Sequence, residues 1–409
     1  MYNPRHAMDE TKPFSEKQFG PEREQLIYQL GLAGKSLATP VPLALLEQKA
    51  KEVLEPRAYD YVAGGAGGEQ TMRANLEAFY RWRIVPRMLR DVSKRDLSVE
   101  VLGKRWPAPV MLGPVGVQGI IHREAEIATG RAAAAMGIPF ALSTVSSQSI
   151  EKVAEAMGSG ARWFQLYWGR DSELTASMLQ RAERAGYEAI VVTLDTSMLA
   201  WRERDLHHAY LPFILGEGLA NYVSDPVFRG RLAQPPEQNP AGAIQLWLTL
   251  FSNTTLTWSD LRFLRQHTRL PIILKGILHS NDAALAIGGG VDGIIVSNHG
   301  GRQVDGAIAA LDALPSVVEE VKGRIPVLFD SGIRRGADVV KALALGAKAA
   351  LLGRLYMWGL AAGGEQGVRD AVLNLLADLD LTLALSGYAS CAELDASVLA
   401  HAAPLAVRP

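Results

Sequence analysis

The chain has 409 residues, 48% of them hydrophobic, enough to bury one large core or two ordinary ones. Its 42 basic and 43 acidic residues leave a net charge of -1, which excludes the basic surface of an ordinary nucleic-acid binder. The single cysteine, Cys391, excludes an internal disulfide framework or a cysteine-rich metal site and fits a reducing cytoplasm.

The first residues, MYNPRHAMDETKPFSEKQFG, mix both signs of charge with proline and lack the apolar core of a signal peptide. Residues 1–42 read as an irregular arm, and the stretch VPLALLEQKAKEVLEPRAYDYVAGG that follows reads as helical. No apolar run reaches the roughly 18 residues that a spanning helix needs. The nearest, GAIQLWLTLF at 242–251, is too short, so a soluble protein without membrane insertion is expected.

From residue 109 a repeating grammar sets in. A short apolar run is followed by a turn and then by an amphipathic helix ending at glycine or just before proline. The strands are PVMLGPVG (109–116), PFALST (139–144), RWFQLY (162–167) and AIVVTLD (189–195). PIILKG (271–276), GIIVSNHG (293–300), PVLFDSG (326–332) and AALLGR (349–354) complete the set. Eight units in series predict an α/β fold, a closed parallel (β/α)8 TIM barrel over residues 43–400, with a helical extension before it and a tail at 401–409. The rhythm breaks once. Residues 196–257, between the fourth strand and its helix, read as a lid-like insertion. EQGVRDAVLNLLADLDLTLALSG supplies the eighth helix.

In such barrels the active site is built at the strand C-termini. Here those ends carry Pro114-Val115-Gly116, Ser143, Gln165 and Tyr167, Thr193 and Asp195, Lys275, His299, Asp330, and Gly353-Arg354, whereas the strand starts are apolar or proline. A purely structural core has no need of that asymmetry, so the chain reads as an enzyme. His299 is the one histidine at a strand end and the natural general base; the other seven fall in helices, loops or termini. Arg202 and Arg302 suit a carboxylate, because a guanidinium fork matches two oxygens. Arg202 in WRERD reads equally as part of a solvated charge cluster. Lys275 is expected to be partly buried and to seek an anion. The turns FDSGIRRG and LLGRLY follow strands seven and eight, where barrels place phosphate, with Gly332, Gly353, Arg334 and Arg354 at hand.

Two glycine-rich stretches are read as turns. GLAGKS (31–36) has two residues between its glycines where a phosphate loop needs four. GGAGGEQ (64–70) has Gln70 where a dinucleotide loop needs glycine. No metal site is expected, and His207-His208 reads as surface polarity.

The blocks YDYVAGGAG, FQLYW, VTLDTSMLAWRERD, ILKGI, SNHGGRQVDG and LFDSGIRRGADVVKALALGA, spread over residues 43–400, resemble the FMN-dependent 2-hydroxy-acid oxidases and dehydrogenases. LANYVSDPVF and the long loop around it are most similar to the lactate 2-monooxygenase branch, which converts lactate and O2 to acetate, CO2 and water. The resemblance implies FMN as cofactor, a small L-2-hydroxy acid as substrate and a homo-oligomer, tetramer or larger. It implies His299 as the base, Asp195 as its hydrogen-bond partner, and Arg302, Arg202, Tyr61 and Tyr167 around the substrate. Pro114, Val115 and Gly116 would line the isoalloxazine ring, with Ser143, Gln165 and Thr193 on its polar edge and Lys275 by the edge that becomes negative on reduction. Asp330, Ser331, Gly332, Arg334, Gly353 and Arg354 would hold the ribityl chain and phosphate. Val145 departs from the tryptophan of some members, and Gly116 from a common alanine. A simple oxidase releasing 2-oxo acid and H2O2 is the alternative outcome. An FMN-barrel isomerase is the alternative of another class.

Overall fold

A computed structural model describes residues 18–402, so expectations for residues 1–17 and 403–409 lie outside it. Eight short parallel strands close into a barrel in the order β7-β8-β1-β2-β3-β4-β5-β6. They are β1 (Val110–Leu112), β2 (Phe140–Ser143), β3 (Arg162–Leu166), β4 (Ile190–Thr193), β5 (Ile272–Ile277), β6 (Gly293–Val296), β7 (Val327–Phe329) and β8 (Ala350–Leu352). The alternation of side chains along each strand divides the core in two. Met111, Ala141, Trp163, Val191, Ile273, Ile295, Leu328 and Leu351 fill the interior. Their neighbours, such as Leu112, Phe164, Ile190 and Phe329, belong to the layer shared with the helices. This is why the strands read as unbroken apolar runs. The short hairpin Val99–Val101/Lys104–Trp106 joins the inner cluster, with Trp106 edge-on to Trp163 at 5.5 Å.

Around the barrel run α1 (Ala125–Met136), α2 (Ile150–Met157), α3 (Ser172–Arg184), α4 (Leu261–His267), α5 (Ser280–Gly288), α6 (Ala310–Val321), α7 (Gly336–Ala344) and α8 (Arg354–Leu385). The eighth helix starts earlier than expected, at Arg354, and is kinked at Gly363-Gly364. Among the described residues no helix is long and apolar enough to cross a membrane.

Three sequence expectations need correction. The arm is not irregular throughout, because Phe19–Leu32 is a helix. Its apolar residues form no clear stripe, so periodicity missed it; buried polar contacts to α8 dock it instead. Arg23 pairs with Asp370 at 2.9 Å, both nearly inaccessible, and the Gly20 amide donates to Asp380 at 2.9 Å. His401 does not belong to a free tail, since Leu399–His401 pairs with Trp82–Ile84. Finally, the 196–257 insertion is more than a loop over the strand ends. It holds several short helices, and Asn221 within it is fully buried, donating to the carbonyls of Ser143 and Thr144 and accepting from the Ile150 amide. Arg181 ties the same stretch to α3 through Asp225 at 3.0 Å.

Removing one partner of a buried ion pair leaves the other charge uncompensated. Asp370→Ala is therefore expected to cost about 3–5 kcal/mol of stability, read as a lower denaturant midpoint. An unchanged midpoint would show that the N-terminal helix docks without this pair.

Candidate active site

The end of β6 delivers the central residues. His299, Gly300 and Gly301 follow one another with φ of 59°, 65° and 76°, a left-handed run that reverses the chain at once. At Gly301 a side chain is excluded outright, because an added Cβ would lie 2.6 Å from the Met72 backbone nitrogen. Asn298 fixes the turn by accepting from the Gly301 amide at 3.0 Å. The turn brings His299 and Arg302 to one deep cavity at the strand C-termini.

His299 Nδ1 lies 2.7 Å from Asp195 Oδ1, which fixes the imidazole tautomer. Burial pulls the imidazole below its usual pKa, and the Asp195 charge opposes that shift. Burial pushes Asp195 up, but the charges of His299 and Lys275 win and hold its carboxyl at about 2. Thr196 Oγ1, not singled out from the sequence, donates to Asp195 at 2.9 Å and completes the group.

Lys275 is fully rather than partly buried. It donates to Ser297 at 2.8 Å and pairs with Asp330 at 3.1 Å. Burial works against its charge, but Asp330 and Asp195 outweigh that, so it stays protonated. Arg202 is not part of a solvated cluster. Its Nε donates to the Arg302 carbonyl and its Nη2 to Gln303, and it lines the cavity. Arg302 donates to the Gly64 carbonyl at 2.6 Å and lies over the Tyr61 ring. Burial and then Arg202 push its guanidinium down to about 10. Burial, then Asp195, drives the Tyr167 hydroxyl upward, so it remains a donor. His208, read as surface polarity, instead meets Asp60 at 2.8 Å and joins the insertion to helix Pro56–Ala63.

Pro114, Val115, Gly116, Asp330, Ser331, Gly332, Arg334, Gly353 and Arg354 line the same cavity. Ser143, Gln165, Thr193 and Asp195 are not on that lining. Ser143 donates to Gln165 Oε1 at 2.9 Å, and Thr193 lines a neighbouring hollow. Val145, Leu199, Phe213 and Phe251 add apolar walls. Phe213 and Phe251 escaped the sequence reading because the insertion folds back over the strand ends from a distance.

The donor set fits a phosphate-bearing flavin. Gln165 Nε2 is buried without a partner, as a group waiting for a ring edge would be. Gly353 stands at the N-terminus of α8, and an added Cβ there would meet no atom within 4 Å, which leaves room for an anion. Arg334 and Arg354 hydrogen-bond to main-chain carbonyls, and burial lowers the pKa of both. Positive charge is in excess here. Among the described residues no cluster of His, Cys, Asp and Glu could hold a metal.

The family of FMN-dependent dehydrogenases matches residues 50–401. The L-lactate oxidase of Lysinibacillus sphaericus is 48% identical over 351 residues, 86% of this chain and 90% of that protein. The 2-hydroxyacid oxidase 1 of Homo sapiens is 42% identical, covering 88% and 96%. A high-resolution structure of an oxidized active mutant of (S)-mandelate dehydrogenase superimposes with a TM-score of 0.80 at 39% identity, covering 88% of this chain and 99% of that one. The chain belongs to the FMN-dependent dehydrogenase family. It is an FMN-dependent oxidoreductase of the 2-hydroxy-acid type.

Proposed function

We propose that the protein oxidises a small L-2-hydroxy acid, L-lactate above all, and passes the electrons to O2. The observation that carries this reading is His299, held by Asp195 at 2.7 Å, facing a cavity shared with Arg302 and Arg202. The L-lactate oxidase relative supports lactate as the substrate.

Bound FMN supplies the two-electron oxidant. Pro114, Val115, Gly116, Ser143, Gln165, Thr193 and Lys275 would hold its ring, and Asp330, Ser331, Gly332, Arg334, Gly353 and Arg354 its ribityl phosphate. Arg302 and Arg202 clamp the substrate carboxylate, and the Tyr61 and Tyr167 hydroxyls orient it. His299 takes the substrate proton at Nε2, since Nδ1 is committed to Asp195. Asp195 stays ionised and stabilises the imidazolium that forms. The charged Lys275 favours negative charge developing beside it.

Oxidation of lactate by O2 yields pyruvate and H2O2. We favour the monooxygenase outcome, in which both are retained and react to acetate, CO2 and water. Leu199, Arg202, Phe213 and Phe251 support it, because the insertion thereby walls the cavity. The simple oxidase is the second reading, favoured by the L-lactate oxidase relative. The test has two parts. Anaerobic flavin bleaching is screened across short, long and aromatic 2-hydroxy acids, and aerobic products are counted. Stoichiometric pyruvate and H2O2 would sink the monooxygenase outcome; no bleaching by any hydroxy acid would sink the whole reading.

The lone, buried Cys391 supports a reducing compartment, the cytoplasm. The homo-oligomer, tetramer or larger, rests on the family resemblance, and light scattering in solution tests it.

A further inference from the structure

Beside the active-site cavity lies a second one of about 330 Å³; of its lining, Tyr167, Thr193, Thr196 and Phe251 figure in the site described above, and the rest do not. Trp168, Leu194, Leu256 and Trp258 give it apolar walls, with Ser197 and Asn253 among its polar groups. The two cavities share only Tyr167, Thr196 and Phe251. Tyr167 and Thr196 have polar tasks at the active site, whereas Phe251 has no polar group to contribute. Its ring is buried, meets Tyr167 edge-on at 5.4 Å, and is backed by Trp247 at 4.8 Å and Phe213 at 6.3 Å. What Phe251 supplies is shape.

We propose that Phe251 is the specificity-determining partition between the substrate cavity and this second chamber, and that it confines the enzyme to 2-hydroxy acids with short side chains. The inference rests on the 2-hydroxy-acid reading given above. The shared walls place the chamber next to the substrate, and its Trp168, Leu256 and Trp258 surfaces suit methylene groups. Apolar pockets discriminate by about 10- to 200-fold for a single methylene, so one ring in the wall is enough to set chain length.

The test uses holoenzyme and measures anaerobic flavin reduction by L-lactate and by L-2-hydroxyoctanoate. The proteins compared are the parent, Phe251→Ala, the milder Phe251→Leu, and the double variant Phe251→Ala/Leu256→Phe, which refills the chamber. The octanoate-to-lactate ratio of second-order rate constants is expected to rise at least about tenfold in Phe251→Ala and less in Phe251→Leu. In the double variant it should return toward the parental value. If Phe251→Ala does not fold, a raised ratio in Phe251→Leu still supports the partition. An unchanged ratio in whichever Phe251 variants fold overturns it, and so does a gain that Leu256→Phe fails to reverse. A parent that already prefers octanoate overturns it as well. A parent reduced by no hydroxy acid overturns the functional reading itself, and the partition with it.

Discussion

In a His299→Gln variant, anaerobic bleaching of the bound flavin by lactate is expected to slow by about 10²–10⁴-fold, the range for loss of a general base. The visible spectrum should stay that of a loaded flavoprotein, because the His299 side chain has no part in the phosphate site assigned to Arg334, Gly353 and Arg354. His299 has a φ of 59°, a conformation that asparagine adopts more readily than glutamine. His299→Asn is therefore the control for backbone strain, and both variants should be equally slow. Reduction at the parental rate in either one would remove His299 from its role as base.

Asp195→Asn should be at least as severe, with reduction slowed by about 10³–10⁴-fold, because an amide neither fixes the imidazole tautomer nor balances the imidazolium. The pH profile separates this from simple damage. The base works when neutral, so the rate falls on acidification through the His299 pKa, which burial places below the ordinary imidazole range. Asp195 raises that pKa. Removing its charge should therefore move the acid limb to still lower pH while the plateau drops. The two changes run in opposite senses for activity in acid, and stopped-flow reduction across pH reads both. A limb that stays put or moves to higher pH would contradict the coupling of Asp195 to His299.

The barrel was legible because each strand is buried on both faces and so reads as a short apolar run between glycine and proline. Polar residues gathered at one end of those runs pointed to the cavity that now unites Lys275, His299, Asp330 and Arg354. What stayed hidden depends on contacts remote in sequence. Helix Phe19–Leu32 owes its place to Asp370 and Asp380, more than 300 residues away. Phe251 reaches Tyr167 only after the insertion has folded back. Thr196 directly follows Asp195 and Ser297 lies two residues before His299, and that nearness in sequence was the available signal. The Arg202 cluster and the His207-His208 pair were ambiguous for a related reason. Whether a charged stretch faces water or a cleft is set by the elements that cover it.

The excess of guanidinium groups in the cavity bears on how the protein matures. A newly made chain must gather Arg302, Arg334 and Arg354 into one low-dielectric hollow, with main-chain carbonyls as their hydrogen-bond partners. Burial and mutual repulsion act against Arg354 most strongly of the three. Any anion that binds the closed form and not the open chain shifts the balance toward closure. A phosphate-bearing cofactor is such an anion, so the loaded protein is expected to melt at a higher temperature than the cofactor-free chain.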